Sequence, residues 1–335
     1  MGWVRPTLVI VTMSTRLKKL KARYGTVAQA AFILRQAQAH KEVAAPAAHA
    51  ALRSRNRSTA APEAEFAEYE REDSAFQTAV EQIRRDIEEL DLPVTVIDRE
   101  FIPNFDFGGC ETVIVIGQDG LVANVAKYVG DVPIVGVNPD PRKIDGVLLP
   151  FQVDQARRAV KNVLDKRFRH RTVTLAEVNL NDGQRLLAFN DFFVGSQSHV
   201  SARYVLEVSG ASEPQSSSGI LISTGAGSTG WLSSVFNMTS GIARLLGHDM
   251  QDRLRLNWEE RRLLWAVREP FISRHSQANL VAGMVDEGQQ LTVESLMPSG
   301  GVIFSDGIES DFLTFTSGTI ARIGVSQQKA KLVVP

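Results

Sequence analysis

Three apolar runs in the first half of the chain never alternate with polar residues: TLVIVT at Thr7–Thr12, TVIVI at 112–116 and VPIVGV at 132–137. β-Branched runs of that length, apolar on both sides, suit strands covered on both faces of a sheet. A segment of helical length, 121–129, separates the last two, and strand, helix, strand is the grammar of a parallel sheet. The first run follows Pro6 and is too short for the apolar region of a secretion signal. The basic stretch at 16–23 reads as a solvated helix face. Between the runs, Phe76, Val80, Ile83, Ile87 and Leu90 recur at steps of four and three, one apolar stripe on a charged helix, and 94–97 reads as a further strand. Residues 41–64 are Ala-rich and broken by Pro and Ser, and are expected to form a loose insertion.

After about residue 170 the pattern changes to short strands, at 172–178, 186–189, 204–208, 219–223, 263–267, 290–294 and 301–304, punctuated by turn residues. The expected fold is therefore α/β plus β. A Rossmann-like parallel-sheet domain over 1–165 precedes a β-rich, sandwich-like domain over 166–335. The 335 residues suffice for both cores. Lys and Arg (37) nearly cancel Asp and Glu (38), a net charge of −1 that offers no electrostatic reason to bind nucleic acid or an anionic membrane. No apolar run approaches the roughly 20 residues of a membrane helix. Cys110 stands alone, which excludes a disulfide framework and fits a reducing, cytoplasmic setting.

Two segments carry chemistry. Gly117-Gln118-Asp119-Gly120 directly follows the strand ending at Ile116 and precedes a helix, where backbone N–H groups of a tight turn can approach phosphate oxygens and an Asp can act on a substrate. An ordinary strand-to-helix turn has the same composition. Gly225-Ala226-Gly227-Ser228-Thr229-Gly230 satisfies GxGxxG after ILIS, and Asp249 lies about 20 residues on, the distance of a ribose-binding acid. That fingerprint belongs to a βαβ unit, whereas this copy lies in the strand-rich half; the loop is kept as a nucleotide-site candidate without the Rossmann label. No GxxxxGK[ST] is present. Taken singly, Asn190 with Asp191 and Asp306 with Gly307 are turn pairs, and Thr229 is a cap for a helix starting at Trp231. Trp231 and Trp265 are expected in the core, and the spacing of His199 and His275 suggests no metal site.

Together the segments GQDG, VPIVGVNPDP (132–141), FNDFFVG (189–195), SSGILISTGAGSTGWLSS (217–234), VREPF (267–271) and FSDG (304–307) resemble the NAD kinases, most closely the mitochondrial-type and related bacterial branch. The resemblance spans roughly 7–310 outside the Ala-rich insertion. It implies an active site in the cleft between two domains, NAD and ATP as ligands, Mg²⁺ accompanying ATP, and a homodimer or higher homo-oligomer. Asp119 would accept the proton of the ribose 2′-hydroxyl as that oxygen attacks the γ-phosphate. Gly117, Gln118 and Gly120 would line the phosphates. Gly120, Asn190, Asp191, Ser218, Thr229, Gly230, Trp231, Ser234 and Asp306 would hold NAD. The chain departs from the family's GGDGT at Gln118 and Leu121, from a common Asp at Ser218, and from a common Pro and small polar residue at Gly225 and Ala226. Two other readings stay open: a kinase of the same fold acting on a lipid or sugar hydroxyl, and a non-catalytic NAD-binding sensor.

Overall fold

The computed structural model describes residues 7–25, 62–248, 254–309 and 311–335. Its first half runs β1 (Thr7–Thr12), α1 (Arg16–Tyr24), α2 (Pro62–Glu88), β2 (Val94–Asp98), β3 (Cys110–Ile116), α3 (Asp119–Ala126), β4 (Pro133–Asn138), β5 (Phe151–Gln152) and α4 (Ala156–Leu164). Residues 41–61 of the Ala-rich stretch lie outside the described residues. Residues 62–64, expected as loop, instead open α2, because a Pro suits the first helical position and Glu and Ala follow it.

Strands β4, β3, β1 and β2 lie side by side and parallel, with Ile10 opposite both Ile114 and Val96, and Ile114 opposite Val135. Each strand sends successive side chains to opposite faces. Leu8, Ile10, Ile114, Ile116 and Val135 pack against Phe76, Ile83 and Ile87 of α2 and Val160 of α4. Val9, Val11, Val113 and Val115 pack against Leu121, Val122 and Val125 of α3. Both faces are dry, which is why the runs carry no polar alternation, and each fully buried side chain of this kind contributes about 1.5–3 kcal/mol.

The second half comprises β6 (Arg169–Leu180), β7 (Arg185–Ala188), β8 (Asp191–Ser196), β9 (Ala202–Val208), β10 (Ala211–Ser217), β11 (Ile220–Ser223), α5 (Trp231–Leu245), β12 (Arg262–Val267), β13 (Ala282–Asp286), β14 (Leu291–Ser295), β15 (Gly301–Ser305), β16 (Leu313–Thr314) and β17 (Ile320–Val334). One antiparallel sheet has the order β13-β12-β11-β8-β15-β16. It packs face to face on β6, β9, β14 and β17 through Phe192, Ile222 and Trp265 on one side and Val178, Leu206 and Val293 on the other. The expected α/β plus β architecture is present.

The sequence pattern did not reveal β17. Fifteen residues long, it lies antiparallel to β6 and parallel to β4, with Leu332 opposite Ile134. It thereby carries the first-half sheet into the second half as one 11-stranded sheet. Its sequence interleaves Ser326, Gln327, Gln328 and Lys329 with small apolar residues, so it lacks the uniform apolar signature of β1 or β3.

Candidate functional site

In the strand order β4-β3-β1-β2, β1 leads on to β2 at one side and β3 to β4 at the other, with α2 on one face of the sheet and α3 on the other, so the chain leaves the adjacent strands β1 and β3 in opposite directions. The crevice beyond the carboxyl ends of such a strand pair is where open α/β sheets bind ligands. Here it is formed by Met13 after β1 and by the GQDG turn after β3. A side chain on Gly117 would meet Met13 Sδ at 3.0 Å and Leu121 Cδ2 at 3.1 Å, so glycine lets the two loops touch. Gln118 is extended and exposed, and Asp119 is the first residue of α3. The Asp119 carboxylate accepts the N–H groups of Leu148 at 2.7 Å and Val147 at 3.3 Å. Beyond its chain neighbours and its own helix backbone, Gly120 has no protein atom within 4 Å of where a Cβ would stand, and its φ is not in the left-handed region. Neither turn geometry nor packing therefore demands a glycine there, and the space over the first turn of α3 is open. A cavity of about 280 Å³ adjoins the turn, with Arg16, Asp140 and Lys143 on its walls beside Met13, Gly117 and Gln118.

A second group of predicted residues meets at the ends of β8 and β15. Asp306 follows β15 in a left-handed conformation (φ 55°), and its carboxylate accepts the N–H of Asn190 at 2.6 Å and of Phe189 at 3.1 Å. Its own N–H donates to the Asp191 carbonyl at 3.0 Å. Lys127, directly after α3, donates to Ser305 Oγ at 2.8 Å and lies 3.8 Å from Asp306 Oδ2, both side chains being almost wholly buried. Burial, then the negative charge of Asp306, pushes the Asp191 carboxyl up to about 7. Burial also raises the Asp306 carboxyl, against the opposing pull of Lys127 and the amides, and lowers the Lys127 ammonium. Tyr128 adds a hydrogen bond to the Asp311 carboxylate.

The GxGxxG loop docks on the same place. A side chain on Gly225 would lie 1.9 Å from the Asn257 carbonyl oxygen, and one on Gly227 would lie 2.2 Å from that of Asn190. These glycines are required by the chain's own backbone, and β11 before them is antiparallel to both neighbours, so the loop is no βαβ fingerprint. Asp249 lies outside the described residues. Thr224 fixes the loop to the Asn190 turn, its hydroxyl donating to the Phe189 carbonyl at 2.6 Å and its N–H to the Asn190 carbonyl at 2.8 Å. Thr229 does not cap α5: it ends a 3₁₀ turn, and Gly230 holds the cap position without a side-chain bond. Thr229, Gly230 and Ser234 are exposed.

Trp231 is half-buried rather than core, whereas Trp265 is buried as expected. The Trp231 ring stacks on Phe193 with centroids 5.7 Å apart, and the Arg268 guanidinium sits 5.3 Å from its centroid. Both line a cavity of about 450 Å³ that also takes in Ser218, Glu269 and Phe304. The Ser218 hydroxyl donates to Glu269. The predicted residues thus fall into three adjoining places: the GQDG crevice, the Asn190–Asp191–Asp306 turn, and the Ser218–Trp231 cavity. Helix α3 joins the first to the second. Residue pattern alone does not single out Phe193 or Lys127; the signal for Lys127 is a lone cation in the apolar stretch NVAKYV.

No family model and no curated protein sequence matches the chain. Among solved structures it is similar to the yeast NADH kinase complexed with NADH, at 12% identity and a TM-score of 0.54, over 99% of this chain and 84% of that one. It is also similar to an NAD kinase from Archaeoglobus fulgidus in complex with ATP, at 18% identity and a TM-score of 0.51, over 76% of this chain and 88% of that one. The chain has the fold of these NAD(H) kinases.

Proposed function

We propose that the chain is an NAD kinase that transfers the γ-phosphate of ATP to the 2′-hydroxyl of the adenosine ribose of NAD. The observation that carries this reading is the GQDG turn at the switch point of the sheet, with Asp119 held by the Val147 and Leu148 amides beside the open space at Gly120. The fold neighbours support phosphoryl transfer as the class of reaction. Such transfer asks the protein chiefly to align donor and acceptor and to offset charge.

Asp119 accepts the 2′-hydroxyl proton as the new O–P bond forms and the bond to the ADP oxygen breaks. The amides of Gly117, Gln118 and Gly120 face the phosphate oxygens, and ATP brings Mg²⁺ with its phosphates. Asn190 and Asp191 bind NAD, with Asp306 behind them. Thr229, Gly230, Trp231 and Ser234 enclose its adenine and ribose, with Ser218 beside them, where the Trp231 and Phe193 rings offer a flat apolar wall.

One observation favours a second reading, a dinucleotide sensor. Leu121 stands in the family's threonine position and is buried under Gly117, so the turn keeps its packing and lacks a hydroxyl. The test incubates the protein with NAD, ATP and Mg²⁺, couples product to an NADP-specific dehydrogenase, and runs Asp119→Asn beside it. The kinase reading expects turnover that falls about 10²–10⁴-fold in the variant. No turnover with calorimetric NAD binding favours the sensor, and neither favours another hydroxyl acceptor.

A further inference from the structure

Lys127 has no part in the chemistry just described, yet its ammonium is buried at the seam between α3 and the turn after β15, with a side-chain exposure of 1%. A buried charge is costly unless paired, and a buried pair is weak evidence for stability, because desolvation offsets much of the attraction. A requirement for one arrangement gives such a pair a reason to be kept. The pair in this chain sits in an ordered chain of contacts. Lys127 binds Ser305 and lies beside Asp306; Asp306 binds the amides of Phe189 and Asn190; the carbonyls of those two residues bind Thr224, which begins the glycine loop. The other charged or titratable groups facing Lys127 are Asp311 and Arg99, and its Nζ stands 5.6 Å from the Tyr128 ring centroid. Asp191 in turn feels the charge of Asp306.

We propose that Lys127 is a positioning residue for the dinucleotide: it locks Asp306 against the Asn190 turn, so that the helix bearing Asp119 and the strand end bearing Asn190 and Asp191 move as one piece. The eight residues of α3 span about 12 Å, so this lock sits one helix length from the acidic turn and sets its distance from the Asn190 turn. This rests on the reading of Asn190 and Asp191 as NAD contacts, and the test separates the two claims.

Lys127→Met, Ser305→Ala and Lys127→Arg are compared with Val178→Ala, a cavity variant in the remote sandwich core that controls for lost stability. Amide exchange at Phe189 and Asn190 is measured without any ligand, followed by the NAD dissociation constant and the Michaelis constants for NAD and ATP. Lys127→Met is expected to speed exchange at both amides, to weaken NAD about tenfold or more and to lower kcat, because Asp119 and the NAD turn no longer hold their distance, with the ATP constant changed far less; Ser305→Ala gives a smaller effect of the same kind, and Lys127→Arg restores most of it. Exchange and NAD affinity in Lys127→Met equal to those of Val178→Ala would overturn the proposal. Should Lys127→Met fail to fold, Ser305→Ala and Lys127→Arg decide on the same readouts. Wild-type protein that binds no NAD would fail the functional reading, and the exchange measurement would still decide whether Lys127 locks the turn.

Discussion

Gly120 and Gly227 are glycines for opposite reasons, and alanine separates them. At Gly227 a methyl group would strike the Asn190 carbonyl at 2.2 Å and Ser223 Oγ at 2.7 Å, so Gly227→Ala should cost about 1–3 kcal/mol or more and displace the Asn190 turn. At Gly120 the methyl meets nothing, and alanine in a helix gains up to about 1 kcal/mol over glycine. Urea unfolding should therefore show Gly120→Ala at least as stable as the parent, while its ATP Michaelis constant rises if phosphate approaches the backbone there. Asp191 adds a pH dependence. Its folded value near 7 lies above the ordinary 3.8, so the folded state holds the extra proton between those values, and stability falls as pH rises through that window. Asp191→Asn should remove this loss, on the order of a few kcal/mol, so that its urea midpoint exceeds the parent's at pH 8 but not at pH 4.

At the scale of elements, α3 and α5 are held very differently. Six of the eight α3 residues, Leu121 to Ala126, are buried, whereas α5 buries only Leu232 and leaves Met238, Ile242 and Leu245 exposed. Helices draw most of their stability from a packed face. Hydrogen exchange should therefore be markedly faster along α5 beyond its first turn than along α3; equal protection would mean that α5 is covered by something in solution.

For the whole molecule, β17 is the decisive strand. Because it pairs with β6 along nearly its full length and with β4 at its end, the first-half sheet cannot lose it without opening the second half. Leu332→Ala, at a site 5% exposed opposite Ile134, should cost about 2–5 kcal/mol. In a Trp3→Phe background the remaining tryptophans, Trp231, Trp258 and Trp265, all lie in the second half, and unfolding followed by their fluorescence and by far-ultraviolet circular dichroism should coincide, with and without Leu332→Ala. Two separated transitions would show that the shared strand does not couple the halves.

The sequence by itself determined what local chemistry can encode. Unbroken β-branched runs required strands covered on both faces, and the stripe from Phe76 to Ile87 required a helix against them. The GQDG turn announced itself because strand, glycine turn and helix are neighbours in the chain. Only the tertiary structure decided what depends on residues distant in sequence. Lys127 and Asp306 are separated by 179 positions in the chain and meet at 3.8 Å, so neither residue type nor spacing could reveal their contact. The same holds for the glycines of the GxGxxG loop, whose pattern suggested a phosphate site and whose neighbours proved to be the carbonyls of Asn257 and Asn190. Strand β17 escaped notice because a half-buried strand with polar residues in its middle carries no pattern of its own; its partners supply the hydrogen bonds that make it a strand.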